Sequence, residues 1–286
     1  MIRQPPTPPP VRGLVRKRIK AKLTAKNADK HLLYQLSVQA PEDDAQFFAR
    51  FYKKYTGEPL RVFREDFCGT AILSCELVKL NKKNHAICVD SHGPTLDWAR
   101  QHNVSKLDKD QQKRVSLVQA NVLDVREPKA DLLAGLNFSF SVFKTRQEMG
   151  AYINNAFRAI KPGGVFILDN WGGGQAQFVM KERKRQKGFT YVWDQADFDP
   201  VTNHILCKIH FEFRNGSRMK NAFVYDWRLW TLMELREMMD EAGFTDIHVL
   251  WEGTDRETGE GNSVFRRVVR GGDEEAWIAY LVARRP

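Results

Sequence analysis

Arg61-Val-Phe-Arg-Glu65, then Asp66-Phe-Cys-Gly-Thr-Ala71, then His85-Ala-Ile-Cys-Val-Asp90 is the stretch that decides how this chain is built. A short strand runs into a loop with a glycine at Gly69, a helix follows, and a second strand ends on a carboxylate. A glycine where a loop opens a helix lets a ligand approach the backbone closely. A carboxylate ending the next strand is placed to bridge two ribose hydroxyls. The order strand, glycine loop, helix, acid-tipped strand describes a nucleoside-binding α/β unit.

The loop is not built to cradle phosphate, since neither G-x-G-x-x-G nor G-x-x-x-x-G-K-[ST] stands near it. The acids Glu65 and Asp66 would repel a phosphate and suit a cationic ligand. Downstream, Arg114-Val-Ser-Leu-Val-Gln-Ala-Asn121 reads as a third strand ending on an amide. Asp131-Leu-Leu-Ala-Gly-Leu-Asn137 reads as a fourth, apolar as a parallel strand covered on both faces should be. Met149, Tyr152, Ile153, Ala156, Phe157 and Ile160 recur at helical spacing. Lys161-Pro-Gly-Gly164 stops that helix, and Val165-Phe-Ile-Leu-Asp169 supplies a fifth strand.

This series resembles the class I S-adenosylmethionine-dependent methyltransferases, in which an acid followed by x-G-x-G-x-G opens the cofactor site. Glu65 stands at the acid and Gly69 at the middle glycine, while Phe67 and Ala71 replace the outer two. The resemblance implies S-adenosyl-L-methionine as cofactor and a Rossmann-like seven-stranded sheet. It implies cofactor contacts from Glu65, Phe67, Cys68 and Gly69, from Asp90 and Ser91 at the ribose, from Asn121 and Val122 at the adenine, and from Asn137 under the methionine end. Tyr34, on N-terminal helices that close over the cofactor in that family, joins them.

With 286 residues and 42% hydrophobic content, the chain can bury a full core in one large domain. No apolar run is long enough to span a membrane, and the expected location is cytoplasmic. Cys68, Cys75, Cys88 and Cys207 have no C-x-x-C spacing, so reduced, buried thiols and no metal are expected. Of the formal charge of +10, residues 1–30 supply nine Lys or Arg against Asp29, which leaves the body close to neutral. Residues 1–29 are expected as a disordered, basic, Pro-rich tail, and any nucleic-acid binding is expected through it.

The domain is expected over 30–286, with lid helices at 30–60 and the cofactor core at 61–170. An antiparallel insertion at 171–230 and a last helix with two strands at 231–286 complete it. After Trp171-Gly-Gly-Gly174, a turn expected to act as a hinge, three aromatic and β-branched stretches begin at Phe189, Ile205 and Asn221. Asn215-Gly216 is a hairpin signal between the last two. The reading is therefore a three-stranded insertion after strand 5. Lys181 to Lys187 is expected as a solvated charged face, and 252–272 as a mobile loop. Thr231-x-x-Glu234 is a capping box opening the last helix.

The layout is similar to that of glycine and amino-sugar N-methyltransferases, which implies methyl transfer to a small molecule. Asp169, Tyr191, Trp193 and Arg228 are the candidate substrate contacts; no catalytic residue is identified. A nucleic-acid-binding protein or RNA methyltransferase using the tail remains an alternative, as does a nicotinamide-dependent oxidoreductase. The oligomeric state is open, a homodimer included.

Overall fold

The computed structural model describes residues 23–255, 257 and 261–286. Most of the basic Pro-rich tail lies outside the described residues. Its last part, residues 23–29, does not behave as a tail. Leu23, Ala25 and Ala28 pack into an apolar cluster with the insertion, and Ala25 N donates to Ser217 Oγ at 3.0 Å. Asp29 caps α1 (Lys30–Val38) and accepts from Trp98 Nε1 at 2.6 Å.

α2 (Pro41–Thr56) begins with Pro41 at its first turn, where a missing N–H costs nothing. It ends at Gly57, whose left-handed φ of 83° only glycine adopts freely. Then come β1 (Val62–Asp66), α3 (Ile72–Leu80), β2 (His85–Asp90), α4 (Gly93–His102), α5 (Lys109–Lys113) and β3 (Val115–Gln119). β4 (Ala130–Gly135), buried along its whole length, leads to α6 (Arg146–Ala159) and β5 (Ile160–Gly172). Parallel pairing places these strands in the order β5, β4, β1, β2, β3.

Alternation along β1 explains its unusual charge. Phe63 and Glu65 face α2 and α3, whereas Arg64 and Asp66 face the opposite layer. Arg64 is fully buried. It donates to Asp66 at 2.7 Å and to the carbonyls of Val125 at 2.7 Å and Val122 at 3.3 Å. The expected acidic pair is therefore split: Arg64 neutralises Asp66, and only Glu65 is presented toward a ligand.

The insertion has four strands, not three: β6 (Met180–Arg185), β7 (Phe189–Asp199), β8 (His204–Phe213) and β9 (Arg218–Arg228) in sequence order. The run expected to be a solvated face is β6, paired antiparallel with β7. Its consecutive charges carry no apolar alternation, and pairing partners such as Asp194, 3.1 Å from Lys181, come from other strands. After α7 (Leu232–Glu241), opened by the expected Thr231–Glu234 capping box, come β10 (Thr245–Thr254), β11 (Gly261–Val268) and β12 (Trp277–Arg284).

β10 and β12 bring the main sheet to the expected seven strands, and β11 adds an eighth at the edge. Part of the expected loop at 252–272 is thus strand, hydrogen-bonded to β10. The glycines after β5 also serve packing. A side chain on Gly172 would collide with the Trp277 indole, and one on Gly173 with the Glu275 backbone. Close approach of two segments accounts for Gly172 and Gly173, while Gly174 has open space around it. No described helix is long and apolar enough to cross a membrane.

Candidate active site

The loop after β1 turns by placing alternate residues in the left-handed region: Phe67 at φ 56°, Gly69 at 52° and Ala71 at 53°. Phe67 and Ala71 occupy the positions where the resembled pattern has glycine, and they keep a glycine-like backbone at some steric cost. The Phe67 ring, packed against Phe143 and Tyr152, holds that turn in place. Cys68 is buried, and burial beside Cys88 raises its thiol well above the ordinary range, so it packs instead of reacting. All four cysteines are free and buried.

Gly69 N donates to Asp90 Oδ2 at 2.8 Å, and His92 N donates to Oδ1 at 2.8 Å. Asp90 thereby ties together the loops that open α3 and α4. A carboxylate has about four acceptor sites, so each oxygen keeps one for a ribose hydroxyl. Ser91 is exposed beside it. Asn121 lies beyond the end of β3 and is exposed, with its Oδ1 accepting from Leu123 N at 3.0 Å. Val122 is buried in the core, where its carbonyl serves Arg64 and Asn155.

Beyond the tips of β1, β4, β5 and β12 lies a cavity of about 520 Å³. The four-stranded sheet covers it on one side, and α1 and α2 on another. Glu65 and Asn137, Asp169 and Tyr34, and Tyr191 and Trp193 all line it. Arg228 does not. Its guanidinium stacks 3.8 Å from the Trp230 ring centre and donates to Glu234 at 2.7 Å and to the Lys144 carbonyl at 3.2 Å. Register explains the difference. Tyr225 and Trp227 point inward from β9, while Asp226 and Arg228 take the other face.

Asn137 and Phe138 both adopt left-handed φ, 56° and 58°, which turns their amides onto Asp169. Asn137 N reaches Oδ2 at 2.7 Å and Phe138 N reaches Oδ1 at 2.9 Å. Even so, burial pushes Asp169 up to about 7. Glu65, which accepts from Ser74 Oγ at 2.5 Å, is pushed up to about 7 by the same desolvation. Asp44, in the first turn of α2, also faces the cavity and is pushed up to about 7 by burial, then by Asp43. Burial raises Tyr191, Tyr225 and Tyr280 as well, which keeps these phenols neutral donors.

The sequence alone did not single out Asp44, nor Trp171, Trp227, Phe47, Phe265 and Tyr280 on the same walls. Asp44 looks like a helix-opening acid, and the aromatics look like core. Only the tertiary fold gathers them. The cavity therefore combines aromatic walls with several acids, an environment suited to a cation.

Residues 66–168 match the sequence model of a family described as a methyltransferase domain. No curated protein matches the chain. Among solved structures, an S-adenosylmethionine-dependent methyltransferase from Clostridium acetobutylicum superposes with a TM-score of 0.64 at 15% identity, over 89% of this chain and 96% of that one. DesVI of Streptomyces venezuelae superposes at 0.62 and 18% identity, over 87% and 95%. The sugar N-methyltransferase KedS8 of Streptoalloteichus superposes at 0.60 and 16%, over 93% and 94%. The chain has the class I methyltransferase fold, and the match to the methyltransferase-domain model falls at its centre.

Proposed function

We propose that this protein transfers a methyl group from S-adenosylmethionine to a small-molecule acceptor held in the cavity. Bound there, S-adenosylmethionine supplies an electrophilic methyl group on a sulfonium. The residues fit such a ligand. Asp90 retains acceptor capacity toward a ribose, Gly69 presents backbone at the loop, and Glu65 offers an enclosed carboxyl for a cationic group. Tyr34 and Asn137 line the cavity with Glu65 and would flank the amino-acid end, while Gly69 and Asp90 stand outside its lining.

The observation that carries the reading is one of placement. The cavity joins the tips of the parallel strands, where open α/β sheets bind ligands, to a roof made by the antiparallel sheet. A roof with Tyr191, Trp193, Tyr225 and Trp227 on its inner face supports a compact acceptor over a duplex. The protein's part in such a reaction is alignment and exclusion of water. The likeness to KedS8, a sugar N-methyltransferase, supports nitrogen as the accepting atom.

Calorimetry with S-adenosylmethionine, its demethylated product and NAD tests the reading. Saturable binding of both adenosyl ligands is expected, with none of NAD. Binding of NAD alone sinks it, and methylation confined to RNA or protein sinks the small-molecule part.

A further inference from the structure

Among the carboxyl groups that line the cavity, Asp44, Glu65 and Asp169 differ in how far their oxygens are committed. Both oxygens of Asp169 are held by backbone amides, and Glu65 takes the Ser74 hydroxyl. Asp44 accepts from the Ala40 backbone, and no side-chain cation pairs with it among the described residues. From its own helix Asp43 and Arg50 also line the cavity, and the Arg50 Nε donates to the Gln46 carbonyl at 3.2 Å. From other elements, Glu65 on β1, Asp169 on β5, Glu252 on β10 and Tyr280 on β12 share the cavity, with Glu182 and Lys184 from β6. The buried Tyr280 phenol feels Asp44, Asp169 and Glu252 together, which places it among them.

Gln39 adds an independent feature. Its Oε1 is buried without a hydrogen-bond partner, and the residue lines the same cavity. A buried acceptor left unpaired is costly, so a donor from a ligand would satisfy it. An amine with two or more N–H groups can serve Gln39 and Asp44 at once. An alcohol has one proton and cannot serve both. Tyr225 and Trp227, stacked at 4.4 Å, offer the aromatic face that an ammonium prefers.

We propose that Asp44 is the proton acceptor for a cationic amine substrate, taking an N–H proton while Gln39 accepts a second N–H bond. This rests on the reading of the cavity as a methyl-transfer site. An aliphatic amine enters at neutral pH as an ammonium, which has no electron pair to offer. Its N–H bond breaks, the proton goes to the free oxygen of Asp44, and the pair stays on nitrogen. The nitrogen then bonds to the methyl carbon as the carbon–sulfur pair leaves with sulfur. Enclosure lowers the ammonium's hold on its proton and strengthens that of the carboxylate, so the transfer becomes nearly balanced.

Two measurements test this on the full chain with Asp44→Asn and Asp44→Glu. The first is binding of benzylamine and glucosamine to protein saturated with S-adenosylhomocysteine, in two pH 7 buffers of different ionisation heat. An ammonium arriving beside Asp44, itself titrating near 7, should release roughly half a proton from the wild type. Asp44→Asn should release less, with cofactor affinity unchanged. The second is methyl transfer into a panel of primary amines and matched alcohols. Asp44→Asn should lose on the order of 100-fold in kcat and the acid limb of the pH profile, which Asp44→Glu partly restores. Equal proton release in wild type and Asp44→Asn, transfer to alcohols over amines, or a variant with wild-type kcat overturns the proposal. Cofactor binding without transfer to any amine also overturns it. Failure to bind the cofactor at all overturns instead the methyl-transfer reading beneath it.

Discussion

Asp90 ends β2 and Asp169 lies three residues before the end of the parallel β5, and both collect two backbone amides, yet they sit in opposite environments. Asp90 is half-buried, with Ser91 and Asn121 exposed near it. Asp169 belongs to an enclosed end, under the antiparallel sheet, and burial pushes it up to about 7 despite its two amides. The same hydrogen-bond count thus gives different chemistry, because desolvation penalises the charged form and amide donors offset only part of that. At the open end the protein presents a partly exposed carboxyl already tied to two loop amides. At the closed end burial raises the carboxyls of Asp44, Glu65 and Asp169.

The widest contrast should appear in stability against pH. Asp44, Glu65 and Asp169 have folded values of about 7, above the ordinary carboxyl range near 4. The native state then holds protons that the unfolded chain gives up. Their contribution is complete below pH ~4 and is lost as pH rises through about 7, at most about 1.4 kcal/mol per group for each pH unit. His31 and His248, pulled down by burial, act the other way, since protonating them below their ordinary value opposes the fold. Comparison with Glu65→Gln isolates the carboxyl effect. The wild type should lose more stability from pH 5 to 8 than the variant does, and S-adenosylmethionine should reduce the loss. Parallel pH curves for the two proteins would break the contrast.

Asp90→Ala addresses the open end and should have the next largest effect. Charge-assisted hydrogen bonds contribute about 1.5–3 kcal/mol, so cofactor affinity should fall by roughly one to two powers of ten. Because Asp90 also anchors Gly69 N and His92 N, Asp90→Asn should recover part of the loss by keeping one acceptor. Isothermal titration measures both variants. An unchanged dissociation constant for Asp90→Ala, with the fold intact by circular dichroism, would put the ribose elsewhere.

The open end was legible in the sequence because its chemistry is local. Strand, glycine loop and acid-tipped strand lie within thirty residues, and Gly69 and Asp90 meet as their spacing suggests. The parallel strands and the capping box of α7 were legible for similar reasons. The closed end is assembled from α2, β5, β7, β9 and β12, segments far apart in the chain. Asp44 in an amphipathic helix carries no local sign of the cavity it will face. Asn121 was misjudged as a strand end because β3 stops at Gln119 and the amide turns onto Leu123 N. The charges of β6 concealed a strand, since period-two alternation is visible only when one face is apolar.

Arg228 offers the smallest and most discriminating comparison between the cavity and its surroundings. Residue type alone made it a plausible anion contact, but alternation along β9 turns it away while Tyr225 and Trp227 point in. Its guanidinium spans Glu234 and the Lys144 carbonyl and covers the Trp230 ring, joining the insertion to the start of α7. Partly exposed pairs of this kind contribute about 0.2–1 kcal/mol, and the stacked cation adds about as much again. Arg228→Met keeps the packing length and removes the charge, so a fall of about 1 kcal/mol in unfolding free energy is expected. Cofactor affinity and acceptor KM should stay within twofold of wild type. Tyr225→Leu, on the neighbouring inward position, should do the reverse: near-normal stability with a raised acceptor KM. If Arg228→Met raised KM while stability held, the strand would carry its specificity on the face opposite the cavity, and the division between an aromatic inner face and a structural outer face would fail.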